Sequence, residues 1–323
     1  MNLLTSMRYL VALNEHQHFG RAAAACHITQ PALSNALRAL EKEFDAVIVR
    51  RGRNFAGLTP EGERVLATAF VLLREAEVLK QELKAAPQQI QGTLRIGAVP
   101  TAIPIAARFA ASLRECHAGI QPVVLSMSSS ALERGLEELS VDMALGYTER
   151  MSPRAQLRSL AQYTEHYFLV RKAHSAGRRA GLSFGAPLSW QEAAKLPLCL
   201  LVAEMHNRTI VDSAFTTAGV AVVPAMETNS ILTLILSVAA GDVCSVLPGA
   251  LVGSVLHDRQ LEALPLVDPQ VRTPIGFLTH AAVRPSQALE AALALAHSPS
   301  WEAIVRAHSG AMGSGTQHTV AGI

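Results

Sequence analysis

Residues 19–41, FGRAAAACHITQPALSNALRALE, constrain the fold more than any other stretch of this chain. Ala22, Ala23 and Ala25 give a short helix a face with almost no side chains, so a second helix can cross it closely, and Gly20 is placed to cap its start. Thr29 then offers an N-cap hydroxyl, and Pro31 is tolerated in the first turn of a new helix because the amide it lacks would be unpaired there. Along that helix Leu33, Ala36, Leu37, Leu40 and Phe44 share one face, while Gln30, Ser34, Asn35, Arg38 and Lys42 share the opposite one. Upstream, Leu3, Met7, Leu10, Val11 and Asn14 follow a helical period over residues 3–16.

Three helices with a tight turn between the second and third make a helix-turn-helix, whose last helix can lay Gln, Asn and Arg side chains along base edges in the major groove. The stretch AVIVRRGRNFAGLT, 46–59, adds two short β-prone runs about an Arg-Gly turn, as in a wing whose arginines reach phosphates. On periodicity alone an ordinary three-helix packing unit fits as well, because any surface helix turns polar residues outward. Charge leans toward nucleic acid. The net charge of the 323 residues is +2, yet residues 1–58 carry seven Lys/Arg against four Asp/Glu, leaving 21 against 22 in the rest.

From Thr59 the pattern changes. Pro60 opens a helix with Glu61 and Glu63 at its positive end, and Val65, Ala69, Leu72, Ala76, Leu79 and Leu83 recur at alternating steps of four and three, a heptad seam that wants a partner helix. A long helix packed on its own globular body is the other reading of the same spacing. AAPQQIQG, 85–92, ends the helix as a hinge.

Beyond residue 92 strands alternate with helices, which predicts mostly parallel α/β sheets in two lobes. Ligands in such folds sit past the C-terminal strand ends near helix N-termini. That rule selects Thr101, Ser128 and Ser129 in one lobe and Asn207, Arg208, Thr228 and Asn229 in the other, all able to donate to a small anion. Each taken singly is more simply a helix cap, and only several meeting in one cleft would argue for a ligand. Cys26, Cys116, Cys199 and Cys244 lie far apart with no metal-ligand spacing, and Cys199 has no second cysteine close in sequence, as expected of reduced thiols in the cytoplasm. No apolar run approaches membrane-spanning length, and no GxSxG, HExxH, GxGxxG or P-loop occurs. No metal, cofactor or catalytic residue is expected.

FGRAAAACHITQPALSNALRALE closely resembles the N-terminal signature of the LysR-type transcriptional regulators. The resemblance implies that Gln30, Pro31, Ser34, Asn35 and Arg38 face DNA and that Arg50, Arg51 and Arg53 contact its backbone. It also implies that the seam helix dimerises, that dimers join into a homotetramer, and that a two-lobed domain resembling a periplasmic binding protein holds a small-molecule effector. PT, SMSS and TNS stand where that family lines its pocket, and residues 94–147 are similar to regulators found beside formate dehydrogenase operons. The family's usual Leu-Gly turn before the wing is replaced by Phe44-Asp45, and Asp45 tolerates the left-handed backbone such a turn needs.

The expected organisation is therefore α+β and multidomain: a winged helix-turn-helix over 1–58, a linker helix and hinge over 59–91, two α/β effector lobes over 92–300, and a disordered Gly/Ser-rich tail over 301–323. Double-stranded DNA and a small carboxylate or oxyanion are the expected partners, and a cytoplasmic solute-binding protein is the alternative that the last two thirds alone would suit.

Overall fold

The computed structural model describes residues 2–51, 55–84, 90–149, 156–173 and 181–310. The N-terminal unit is α1 (Leu3–His16), α2 (Phe19–Ala25), α3 (Gln30–Glu43), and a hairpin of β1 (Val49–Arg51) and β2 (Phe55–Leu58). Met7, Leu10 and Leu13 of α1 meet Ala22 and Ala23 of α2 and Leu33, Leu37 and Leu40 of α3 in one buried cluster, so the alanines do provide the close helix crossing. The cap of α2 is a correction to the sequence reading. His18, not Gly20, caps it, its Nδ1 accepting the Gly20 and Arg21 amides at 3.1 and 3.3 Å. Asp45 adopts φ 47°, turning the chain from α3 toward the wing as its side chain type permits.

α4 (Pro60–Lys84) starts at Thr59, whose Oγ1 accepts the Gly62 amide at 2.9 Å. Gly62 sits against the wing: a Cβ there would lie 2.2 Å from the Ile48 carbonyl oxygen, so only glycine lets the helix start so close. The first turns of α4 bury Leu66 and Ala69 in the N-terminal core, and further along the apolar positions emerge into solvent, with Leu72 38 %, Leu79 55 % and Leu83 78 % exposed. Thus one end of the seam packs in its own chain and the other end is open. The hinge residues 85–89 lie outside the described residues.

The remaining chain runs β3 (Gly92–Ala98), α5 (Ile103–Cys116), β4 (Ile120–Ser126), α6 (Ser129–Glu137), β5 (Met143–Tyr147) and β6 (Leu157–Glu165) in a first lobe. It crosses at His166 into β7 (Tyr167–Lys172), β8 (Ser183–Phe184), β9 (Leu188–Ser189), α7 (Trp190–Ala193), β10 (Cys199–Leu201), α8 (His206–Thr217), β11 (Met226–Thr228), α9 (Ile231–Ala240), β12 (Ser245–Pro248), α10 (Gly249–Val252) and β13 (Leu261–Val267). It then returns to the first lobe through β14 (Thr273–His280), α11 (Gln287–Ala296) and α12 (Pro299–His308).

The first sheet has order β4-β3-β5-β14-β6, and the second lobe holds a sheet of order β12-β7-β13-β8 with a separate parallel pair, β10-β11. Pairing is more mixed than the expected mostly parallel sheets. β3, β4 and β5 are parallel, but β14 runs antiparallel to both β5 and β6, and β7 runs antiparallel to β12 and β13. The two crossings explain this: a strand that brings the chain back beside the one that carried it out runs the opposite way. Residues 301–308, expected in a disordered tail, instead complete α12, where Trp301 is buried against Phe109 with ring centroids 4.9 Å apart and donates from Nε1 to Gln162. An indole buried with its N–H satisfied anchors a terminal helix well, and composition at the chain end hid it. Residues 311–323 lie outside the described residues. Among the described residues no helix is long and apolar enough to cross a membrane.

Candidate functional site

The outer face of α3 is built by its own capping and burial. Thr29 Oγ1 accepts the Ala32 amide at 3.4 Å, which fixes the first turn, and burial of Leu33, Leu37 and Leu40 leaves Gln30, Pro31, Asn35 and Arg38 exposed and Ser34 half-buried. Arg38 Nη1 donates to Asn35 Oδ1 at 3.4 Å, so the two side chains form one polar unit. Arg50 is exposed on β1. Arg51 lies in the same strand, and Arg53 falls outside the described residues. Sequence reading missed what joins wing to helix: Glu41 Oε1 accepts the amides of Ile48 and Val49, each at 3.1 Å. The Leu40-Glu41 pair of the sequence signature thus has a physical role, one residue in the core and the next tying down the wing.

The two lobes enclose a cavity of about 210 Å³. Thr101, Ser128, Ser129, Asn207 and Asn229 line it, so five of the seven residues chosen from strand ends converge on one space. Ser128 caps α6, accepting the Ala131 amide at 3.3 Å, and the buried Ser129 Oγ has no hydrogen-bond partner among the described residues. The N-terminus of α6 therefore stands in the cavity wall with its positively polarised amides.

Two predicted residues are placed elsewhere. Arg208 is not in the lining: its Nε donates to Asp212 Oδ1 and its Nη1 to the Leu201 carbonyl, each at 2.7 Å, and Nη1 also reaches Glu227. A guanidinium so engaged ties α8 to β10 and β11 and has little left for a ligand. Thr228 also stands outside the lining, its Oγ1 accepting the Ser230 amide at 3.1 Å.

Among the lining residues that escaped the sequence reading are Tyr147, Glu204 and His206. Tyr147 of the first lobe and His206 of the second meet edge to face, centroids 4.6 Å apart, and the Tyr147 and Thr101 hydroxyls are 3.2 Å apart. Asn207 Nδ2 donates to the Tyr167 hydroxyl at 3.5 Å, which lies 3.3 Å from Thr273 Oγ1. Burial first, and then the Glu165 carboxyl, hold the Tyr147 phenol well above the usual range, so it stays a neutral donor. The lining carries one carboxylate, Glu204, and no lysine or arginine among the described residues.

The cysteines have a relationship that sequence distance concealed. The Cys199 amide donates to the Cys244 carbonyl at 2.8 Å. Yet Cys199 packs among Phe168, Val170 and Leu247 on one side of the second lobe, and Cys244 among Tyr167, Leu169 and Val246 on the other. Thiols that project to opposite faces cannot meet in a disulfide without backbone movement. Burial raises both above the usual thiol range, leaving them protonated and unreactive.

Comparison with known proteins places these features in context. A family model described as "Bacterial regulatory helix-turn-helix protein, lysR family" matches residues 4–63, and one described as "LysR substrate binding domain" matches residues 87–298. The DNA-binding transcriptional dual regulator OxyR of Escherichia coli K12 is 39% identical over 101 residues, 31% of this chain and 33% of that protein. The HTH-type transcriptional regulator EstR of Acinetobacter baylyi is 34% identical over 136 residues, 42% of this chain and 44% of that one. The chain thus aligns with about a third of the length of the OxyR relatives it matches. Among solved structures, a variant of full-length OxyR from Pseudomonas aeruginosa superposes with TM-score 0.63 at 24% identity, covering 90% of this chain and 95% of that one. Full-length CbnR in complex with its target DNA superposes with TM-score 0.59 at 18% identity, covering 90% and 97%.

Proposed function

Because this chain belongs to the LysR family of bacterial helix-turn-helix regulators, we propose that it is a DNA-binding transcription regulator whose operator binding responds to a small anion held between its two effector lobes. The observation that carries the ligand half is the convergence of Thr101, Ser128 and Ser129 from one lobe with Asn207 and Asn229 from the other on one cavity. Caps scattered at unrelated helix starts would not share a cavity. Hydroxyls, amides and the α6 N-terminus favour negative charge, and a lining without lysine or arginine but with Glu204 favours a single charge over two. A small monocarboxylate or an oxyanion of comparable size fits that balance.

The DNA half rests on α3. Gln30, Pro31, Ser34, Asn35 and Arg38 form the readout face, and Arg50, Arg51 and Arg53 serve as phosphate contacts on the wing. Residues 1–58 are the DNA-binding unit, 59–91 the linker and hinge, and 92–308 the effector unit. The exposed end of α4 pairs with the same helix of a second copy, and two dimers assemble into a tetramer on two sites, each dimer spanning two half-sites. The protein works as a regulator in the cytoplasm and not as an enzyme. A redox-sensing pair of these two thiols is disfavoured by Cys199 and Cys244 facing opposite ways.

The test is calorimetry of the full chain against formate, acetate, pyruvate, succinate, benzoate, phosphate and sulfate, paired with anisotropy on DNA from upstream of its own gene. A monocarboxylate or small oxyanion is expected to bind the wild type and to bind Thr101→Val and Ser128→Ala at least tenfold more weakly, while operator affinity without ligand stays within a few-fold. If no anion binds, or if the one that binds does not distinguish the variants, the cavity is not the effector site.

A further inference from the structure

Glu165 is the last residue of β6, immediately before the chain crosses to the second lobe, and its side chain is fully buried. Its Oε1 accepts a long hydrogen bond from the Tyr163 hydroxyl, 3.5 Å, and its Oε2 has no hydrogen-bond partner among the described residues. A carboxyl placed so deep with so little compensation is costly when charged, and such a group keeps its proton unless a cation or several donors stabilise the anion.

Sheet register shows what surrounds it. Tyr147 on β5 and Tyr163 on β6 both pair with Ile275 of β14, while Glu165 pairs with Thr273, two residues away on the same strand. Side chains two apart share a face, so Tyr147, Tyr163 and Glu165 project together from one side of the sheet. From β7, Tyr167 reaches the same group, its hydroxyl 3.3 Å from Thr273 Oγ1. Of the nearby bases, His166 is next in sequence and Arg272 precedes β14, and they act on one another, Arg272 adding to burial in pushing the His166 imidazole down. From the second lobe, His206 meets the Tyr147 ring, and Glu204 joins it in the cavity wall. What acts on Glu165 itself is burial, which raises it, and the Tyr163 hydrogen bond, which lowers it less, leaving the carboxyl protonated up to about pH 8.

Tyr147 is the link. It projects from the same side of the sheet as Tyr163 and Glu165, whose carboxyl acts on its phenol, and it lines the effector cavity, where its hydroxyl stands beside Thr101. Resting on the reading of that cavity as an anion site, we propose that Glu165 is a proton-linked gate for the effector: an anion occupies the cavity while Glu165 holds its proton, and loss of that proton expels it. Unit charges about 8 to 12 Å apart in a protein interior with an effective dielectric of about 20 repel enough to change a binding constant by roughly ten- to thirtyfold. By reciprocity the bound anion raises the proton affinity of Glu165 by the same factor. Binding is then insensitive to pH while Glu165 is neutral and weakens above its titration.

Acetate is the probe, titrated calorimetrically into the full chain at pH 6.5, 7.5, 8.5 and 9.5, for the wild type and for Glu165→Gln. Wild-type affinity is expected to fall at least fivefold between pH 7.5 and 9.5, while that of Glu165→Gln stays within twofold. Parallel profiles for the two proteins, with acetate bound, overturn the gate and leave the cavity assignment standing. Acetate failing to bind at every pH overturns the gate, and the other anions of the panel then decide the cavity assignment by themselves. Should Glu165→Gln fail to fold, carbon-13 NMR of the wild-type glutamate carboxyls decides: acetate is expected to raise the Glu165 midpoint by about one unit, and an unmoved midpoint overturns the proposal.

Discussion

Arg74 of the linker helix and Asp142 of the first effector lobe form an ion pair that leaves only 11% and 3% of their side chains exposed. The second Asp142 oxygen accepts the Arg95 amide at 2.7 Å, so the carboxylate joins α4 to the start of the first sheet. Burial still raises Asp142 above the usual aspartate range, with Arg74 and then the Arg95 amide opposing it. A pair that dry holds direction more than it adds stability, because desolvation cancels much of the attraction. Removing one partner is another matter. Arg74→Met should destabilise the effector unit by about 3 to 5 kcal/mol in urea melts, and adding Asp142→Leu should restore most of that loss. If the single and double variants unfold alike, the pair does not carry the linker contact.

The Arg38–Asn35 contact on α3 leads to a prediction about specificity. If these residues read bases, Asn35→Ala and Arg38→Ala should each lose about 1 to 3 kcal/mol of discrimination at one or two base pairs, and the double variant should lose less than the sum because each orients the other. Arg50→Ala should instead weaken binding to every sequence alike and lower the salt slope by about 1. Anisotropy with operator and scrambled duplexes at several salt concentrations separates these outcomes, and uniform losses for all three would remove α3 from the groove.

How much of this could be read from the sequence follows a physical division. Thr29, Pro31, the alanines and the period of Leu33, Leu37 and Leu40 act within a few residues of chain, so the helix-turn-helix was legible down to its outer face. Thr101, Ser128 and Asn207 were legible because strand ends next to helix starts are where such sheets place ligands. Arg208 was misplaced because that rule counts donors and cannot see the acceptors, Asp212, Glu227 and the Leu201 carbonyl, that occupy them. Tyr147 and Glu165 carry no local signal. Only the register of β5 and β6 on β14, strands far apart in the chain, brings them to one face. The opposed cysteines and the buried Trp301 are likewise products of tertiary pairing that periodicity does not encode.

The open half of the α4 seam predicts how copies join. Leu79 and Leu83 are well exposed in the single chain, so charging them costs the monomer little. Two such helices pairing would bury both residues. Leu79→Glu with Leu83→Glu should therefore leave the thermal midpoint of the effector unit unchanged, convert the protein to monomer in light scattering, and weaken operator binding at least a hundredfold through loss of the second half-site. A stable monomer with undiminished operator affinity would refute the seam as the dimer contact.

Glu165 also predicts how stability varies with pH. In the unfolded chain a glutamate titrates near 4.5, whereas burial holds Glu165 in the folded chain up to about 8. Between those values the unfolded state has released a proton that the folded state still binds, so raising pH favours unfolding. The penalty is absent below about pH 4.5, grows through the interval, and levels off above about pH 8 at roughly 5 kcal/mol, the shift multiplied by about 1.4 kcal/mol per unit. Glu165→Gln keeps the shape and removes the titration. Its stability relative to the wild type should rise steadily from pH 5 to pH 8 and stay flat beyond, whatever other groups contribute, because they are common to both proteins. Paired denaturant melts at unit pH steps measure that difference directly. A difference that does not change with pH would mean that Glu165 ionises in the folded chain as it does in water, and that the three tyrosines around it do not exclude its charge.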